Sequence, residues 1–125
     1  MAVPILKQGD YLIASIQAAL SDREVLELRD DLLERAGVHR SRGIIVDVTA
    51  LDVMDSFAAR SLRGIAHMAN LRGAQTVMVG IQPEVAFAMV QLGLNLEGVH
   101  TALDLEEGLA FLDQLLIKEP GNGDE

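Results

Sequence analysis

At 125 residues, the length prior gives one domain with enough chain to bury a real core. Half the residues are apolar, yet only three phenylalanines and one tyrosine are aromatic, so that core is aliphatic. The absence of cysteine excludes disulfides, thiol catalysis and zinc–cysteine sites. A formal net charge of −9 argues against nucleic-acid and anionic-lipid partners and suits a partner with a basic face.

The start, MAVPILKQGD, lacks a basic region followed by a long apolar run, so no signal peptide is expected. No apolar run approaches the ~20 residues of a membrane helix. The expectation is a cytoplasmic protein. Val3 to Leu6 and Tyr11 to Ile16 read as strands joined by a Gly9-Asp10 turn, with Pro4 marking the first as an edge. Ser21 to Ala36 reads as a helix. Ser21 and Glu24 have capping-box spacing, Val25, Leu28, Leu32 and Ala36 form its buried stripe, and Gly37 is its stop. His39 to Arg42 is expected to be a solvated basic connector.

Gly43 to Val48 is apolar apart from Asp47 and rich in β-branched residues, as suits a strand covered on both faces. A helix over Ser56 to Arg72 follows, with Ala58, Leu62, Ile65 and Ala69 inward and Gly73 at its end. Thr76 to Ile81 is the next buried strand. Pro83 opens a helix to Leu92, packed through Val85, Met89 and Leu92 and closed by Gly93. Val99 to Leu103 is a short last strand. Asp104 caps a final helix with Leu105, Leu109, Leu112 and Leu116 inward, and Pro120 stops it. Residues 1–118 thus form the domain, and 119–125 an acidic tail expected to be disordered. Strands alternating with helices predict an α/β fold. Its sheet is mixed and mainly parallel, with an N-terminal antiparallel strand and about four covering helices. Strands 43–48 and 76–81 then lie side by side, and loops 49–55 and 80–83 meet at their carboxyl ends, where open α/β sheets bind ligands and partners.

Catalytic patterns are weak. Ser56 has no Gly-x-Ser-x-Gly context, and no phosphate-cradling glycine-rich loop with lysine occurs. His39, His67 and His100 share no metal-ligand spacing, so no metal or cofactor is expected. Asp47, Asp52 and Asp55 hint at a phospho-acceptor receiver. That site needs an acidic pair after an early strand and a late lysine. Gln17-Ala18-Ala19 stands at the first place, and no lysine lies between Lys7 and Lys118. Asp55 and Ser56 have a plain reading as helix-start residues. The alternative is a phosphorylation switch. A hydroxyl at a first helical position is open to a kinase, and the helix dipole tolerates the added anion. Thr49 and Ser61 are the alternative hydroxyls. Asp52, Met54, Asp55, Phe57, Ile81, Gln82 and Pro83 form the candidate partner surface beside Ser56.

At IIVDVTALDVMDSF, LRGAQTVMVGIQPEVA and TALDLEEGL the chain resembles the STAS domain family, and within it the RsbS-like scaffolds of the stressosome. The resemblance spans Pro4 to about Ile117. The Asp-Ser junction alone is general to STAS domains; Gly80-Ile81-Gln82-Pro83 adds the stressosome branch. RsbR-like members share that loop, but carry an N-terminal sensory domain and usually a threonine acceptor. This chain starts at the STAS domain and has Ser56. The resemblance implies a non-catalytic scaffold without cofactor, assembled with itself and with RsbR-like co-scaffolds into a large cytoplasmic particle. That particle holds an RsbT-like switch serine kinase. Phosphorylation of Ser56 releases the kinase into a stress-response pathway, and an RsbX-like phosphatase resets it. A direct anti-sigma-factor antagonist and a small-molecule-binding STAS module are the alternatives.

Overall fold

A computed structural model describes residues 3–117. The elements run β1 (Ile5–Gln8), β2 (Tyr11–Ser15), α1 (Asp22–His39), β3 (Gly43–Asp47), α2 (Ser56–Leu71), β4 (Gln75–Val79), α3 (Pro83–Gln91), β5 (His100–Ala102) and α4 (Leu105–Ile117). The strands form one sheet in the order β1-β2-β3-β4-β5. β1 is antiparallel to β2 and all other pairs are parallel. The architecture is the α/β arrangement read from the sequence. Pro120 and the acidic tail lie outside the described residues.

The order explains the layers. Each right-handed crossover steps one strand in the same direction, so α1, α2 and α3 fall on one face. Side chains alternate across the sheet. Leu12, Ala14, Ile44, Val46 and Met78 point into the larger core with Leu28, Leu32, Leu62, Val85 and Met89. Ile13, Ile45, Val77 and Val79 point the other way, where α4 covers them with Leu112. α4 lies close because Gly108 sits over the sheet; a Cβ there would come within 2.7 Å of Val79 Cγ1. At the amino edge, the Tyr11 hydroxyl donates to the Asp113 carboxylate. Burial and that carboxylate push the Tyr11 phenol up to about 12.

Local chemistry sets the helix boundaries. The Glu24 N–H donates to Ser21 Oγ at 3.1 Å, and the Ser21 N–H donates to Glu24 Oε1 at 2.9 Å. The Ser21 backbone N–H holds the Glu24 carboxyl down, at about 2. Gly37 does not stop α1. The helix runs on to His39, and Arg40 caps it in a left-handed conformation, φ 51°. The expected basic connector is therefore largely helix end, followed by a buried Ser41. One inward assignment fails: Leu92 is the α3 C-cap, 57% exposed. Ala58, like Ala36, Leu105 and Leu109, packs half-buried against the cores, and Ala59 and Ala66 are buried beside it in α2.

Among the described residues, the Thr76 hydroxyl is buried without a hydrogen-bond partner. An unpaired buried polar group costs about 1–3 kcal/mol. Thr76→Val keeps the shape and removes the hydroxyl, so it is expected to stabilise the fold by about 1 kcal/mol. Urea unfolding measures this; an unchanged or lowered midpoint would mean that the hydroxyl is satisfied by water.

Candidate functional site

The site forms where four parallel strands end together. Ser15 pairs with Asp47, Asp47 with Val79, and Val79 with Ala102, so the loops that follow leave the sheet at one level. The β3–α2 loop is fixed by its own side chains. Asp47 Oδ1 accepts from the Thr49 N–H at 2.9 Å and from Thr49 Oγ1 at 2.6 Å. The Leu51 N–H donates to the Val48 carbonyl at 3.0 Å. Leu51 and Met54 then turn inward, each under a tenth exposed.

Asp55 ends the loop in an extended conformation and accepts from the Ala58 N–H at 2.8 Å, the bond expected of an N-cap. Ser56 is therefore the first residue of α2 and is half-buried. Across the edge, Gly80 follows β4, with φ +80° and its backbone close against Thr49. Gln82 Nε2 donates to the Thr49 carbonyl at 2.7 Å and ties the two loops together. Pro83 follows as the first residue of α3, where its missing N–H costs nothing.

The named residues thus divide. Asp52, Asp55 and Pro83 are exposed; Phe57, Ile81 and Gln82 are half-buried. Met54 lies deeper than the others: it is 7% exposed and packs in the larger core, where it helps line an apolar pocket beneath the loop. Thr49, the first alternative hydroxyl, is exposed, with its oxygen engaged by Asp47. Ser61 is half-buried in the second turn of α2. Sequence reasoning missed Val53, 59% exposed on the same loop, and Phe87, 66% exposed on α3. The signal for Val53 was an apolar residue between two acids in a segment too short for a strand. Together these residues make an acidic, partly apolar rim around a hydroxyl at a helix N-terminus. The described residues hold no cluster of histidine or acidic side chains suited to a metal ion.

The sequence model of the STAS domain family matches residues 2–108. The chain belongs to that family. Proteins similar to this chain include an RsbS, a chain of a solved stressosome and RsbT co-antagonist proteins. A glutamate-for-serine variant of RsbS from Moorella thermoacetica superposes with a TM-score of 0.79 at 37% identity, covering 91% of this chain and 97% of that one. A chain in a solved stressosome architecture gives 0.76 at 36%, covering 90% and 98%. The RsbT co-antagonist protein RsbRA of Bacillus subtilis is 32% identical over 107 residues, 86% of this chain. The match takes in 38% of RsbRA, so the chain spans about two fifths of that relative's length. The anti-sigma factor antagonist SpoIIAA, at 16% identity and a TM-score of 0.67, shares the fold. Among the described residues no helix is long and apolar enough to cross a membrane.

Proposed function

We propose that this chain is an RsbS-like stressosome scaffold that works as a phosphorylation switch without catalysing a reaction. It assembles with RsbR-like STAS partners in the cytoplasm and sequesters an RsbT-type serine kinase. That kinase phosphorylates Ser56 and is released to drive a stress response. An RsbX-type phosphatase restores the unmodified serine. The observation that carries the reading is Ser56 at the first position of α2, on the level carboxyl edge, between exposed acids and apolar Val53 and Phe57. The 37% identity to RsbS over nearly the whole of both chains supports the choice within the family. RsbRA is named for acting with respect to RsbT, which supports the kinase type.

Incubation with an RsbT-type kinase and ATP, followed by mass spectrometry, tests this. One phosphate is expected, on Ser56, and none on a Ser56→Ala protein. Transfer to Thr49 or Ser61 instead, or no transfer at all, would contradict the assignment.

A further inference from the structure

We propose that an apolar pocket between α1 and α2, beside Ser56, receives one aliphatic side chain from a basic segment of the switch kinase. Asp55 links that pocket to the phosphorylation state of Ser56. The inference rests on the function proposed above and adds the docking chemistry.

The pocket encloses about 90 Å³. Its floor is Ile16, Val25, Leu51 and Leu62, all buried; Val53 and Asp55, both exposed, stand at its mouth. Size selects the occupant. A water takes roughly 30 Å³ and a dry cavity of about 150 Å³ holds benzene. Free organic ligands usually occupy about 300–1,000 Å³. Ninety fits a single branched aliphatic group carried by something larger. The lining also has one ionisable side chain, Asp55, so a polar metabolite would find almost nothing to bond.

Charge selects what carries that group. Asp52 and Asp55 bracket Val53 at the mouth, and Asp22 is the first residue of α1, three residues before the pocket's Val25. The neighbouring cation Arg23 is 3.5 Å from Glu27. A chain of net charge −9 with an acidic pocket mouth attracts lysine or arginine flanking the anchor.

The coupling follows from the double duty of Asp55. Asp55 lines the pocket, and its carboxylate caps α2 by accepting from the Ala58 N–H. A phosphate on Ser56 would compete for the N–H groups of the first turn, one of which Asp55 already holds, and would repel the neighbouring carboxylate. Moving Asp55 changes the pocket wall, so phosphorylation and anchor insertion oppose each other.

The test fills the pocket from inside. Ala58 is half-buried and lines the cavity, and leucine is a good helix former. Ala58→Leu is expected to keep or raise the melting temperature and to weaken binding of the RsbT-type kinase ~10–100-fold, the value of one buried aliphatic side chain. Val53→Asn, at an exposed position, is the second variant should Ala58→Leu fold poorly; it is expected to weaken binding roughly threefold or more. Wild-type affinity in both variants, with Ser56→Asp still weakening the kinase, overturns the pocket and leaves the switch standing. Wild-type affinity in all three, or no kinase binding by the unmodified protein, overturns the proposed function and the pocket with it.

Discussion

Gly80→Ala is expected to destabilise the protein by about 3 kcal/mol or more, lowering the melting temperature by roughly 10 °C. Two costs add. Gly80 has φ +80°, and an L-residue in that region costs about 1–2 kcal/mol. A Cβ there would also overlap Thr49 Oγ1 and lie 2.9 Å from Thr49 Cβ and 3.0 Å from its Cα. The side-chain oxygen can rotate away only by losing its 2.6 Å bond to Asp47, and the Cα belongs to backbone. Forcing a methyl into such a contact costs about another 1–3 kcal/mol.

Gly93→Ala separates the two costs. Gly93 has φ +71° and open space where its Cβ would go. It should lose about 1 kcal/mol, the conformational cost alone. Thermal or urea unfolding of both variants makes the comparison. Equal losses would mean that the Gly80–Thr49 approach is loose. Adding Thr49→Ala to Gly80→Ala should recover part of the loss, because it removes Oγ1 and leaves Cβ and Cα in place. The same crowding pushes the Gln82–Thr49 bond apart, so the site should loosen along with the fold.

The contrast between Gly80 and Gln82 shows where sequence reasoning stops. The strands, the Ser21–Glu24 capping box, Pro83 at a helix start and the fold class are local or periodic signals. They were readable because each rests on neighbours within a turn or two. Gly37 misled for the opposite reason. Glycine is a good helix stop, yet here the helix continues at a cost of about 1 kcal/mol. A Cβ at that point would lie 3.3 Å from Arg72 Nη2, on a different helix. No local pattern encodes that. Leu92 fitted a 3–4-residue stripe, but α3 ends one residue earlier and the side chain turns out to solvent. Within the candidate site, the position of Ser56 followed from Asp55 as a cap. The inward turn of Met54, the Asp47–Thr49 bonds and the pocket beneath Val53 depend on which loops the sheet register brings together.

Ser56→Asp should weaken binding of the RsbT-type kinase by roughly 10–100-fold, whereas Ser56→Ala should hold the kinase as tightly as the unmodified protein and never release it. The magnitude is that of one added charge opposed by a carboxylate or a tight apolar contact of the kinase facing Ser56, apart from the basic segment that flanks the pocket anchor. Two like charges ~6 Å apart repel by roughly 3 kcal/mol at an effective dielectric of ~20, and by under 1 kcal/mol in bulk water. Each 1.4 kcal/mol is tenfold in affinity. The contact lies between these limits because Ser56 and Phe57 are half-buried while Asp52 and Asp55 are exposed. A phosphate carries about −1.5 to −2 charges, so aspartate should give part of the effect of the modification. Unfolding is not a competing explanation. A carboxylate in the first turn of α2 gains about 0.3–1 kcal/mol from the helix dipole, which offsets its repulsion from Asp55. The melting temperature of Ser56→Asp should therefore stay close to that of the parent. Co-sedimentation with the kinase at low and high salt reads the result. A loss that shrinks as salt rises marks exposed charge repulsion; a loss independent of salt marks a steric or buried contact instead. Equal binding by the aspartate and alanine proteins would mean that charge at this position does not decide who stays bound.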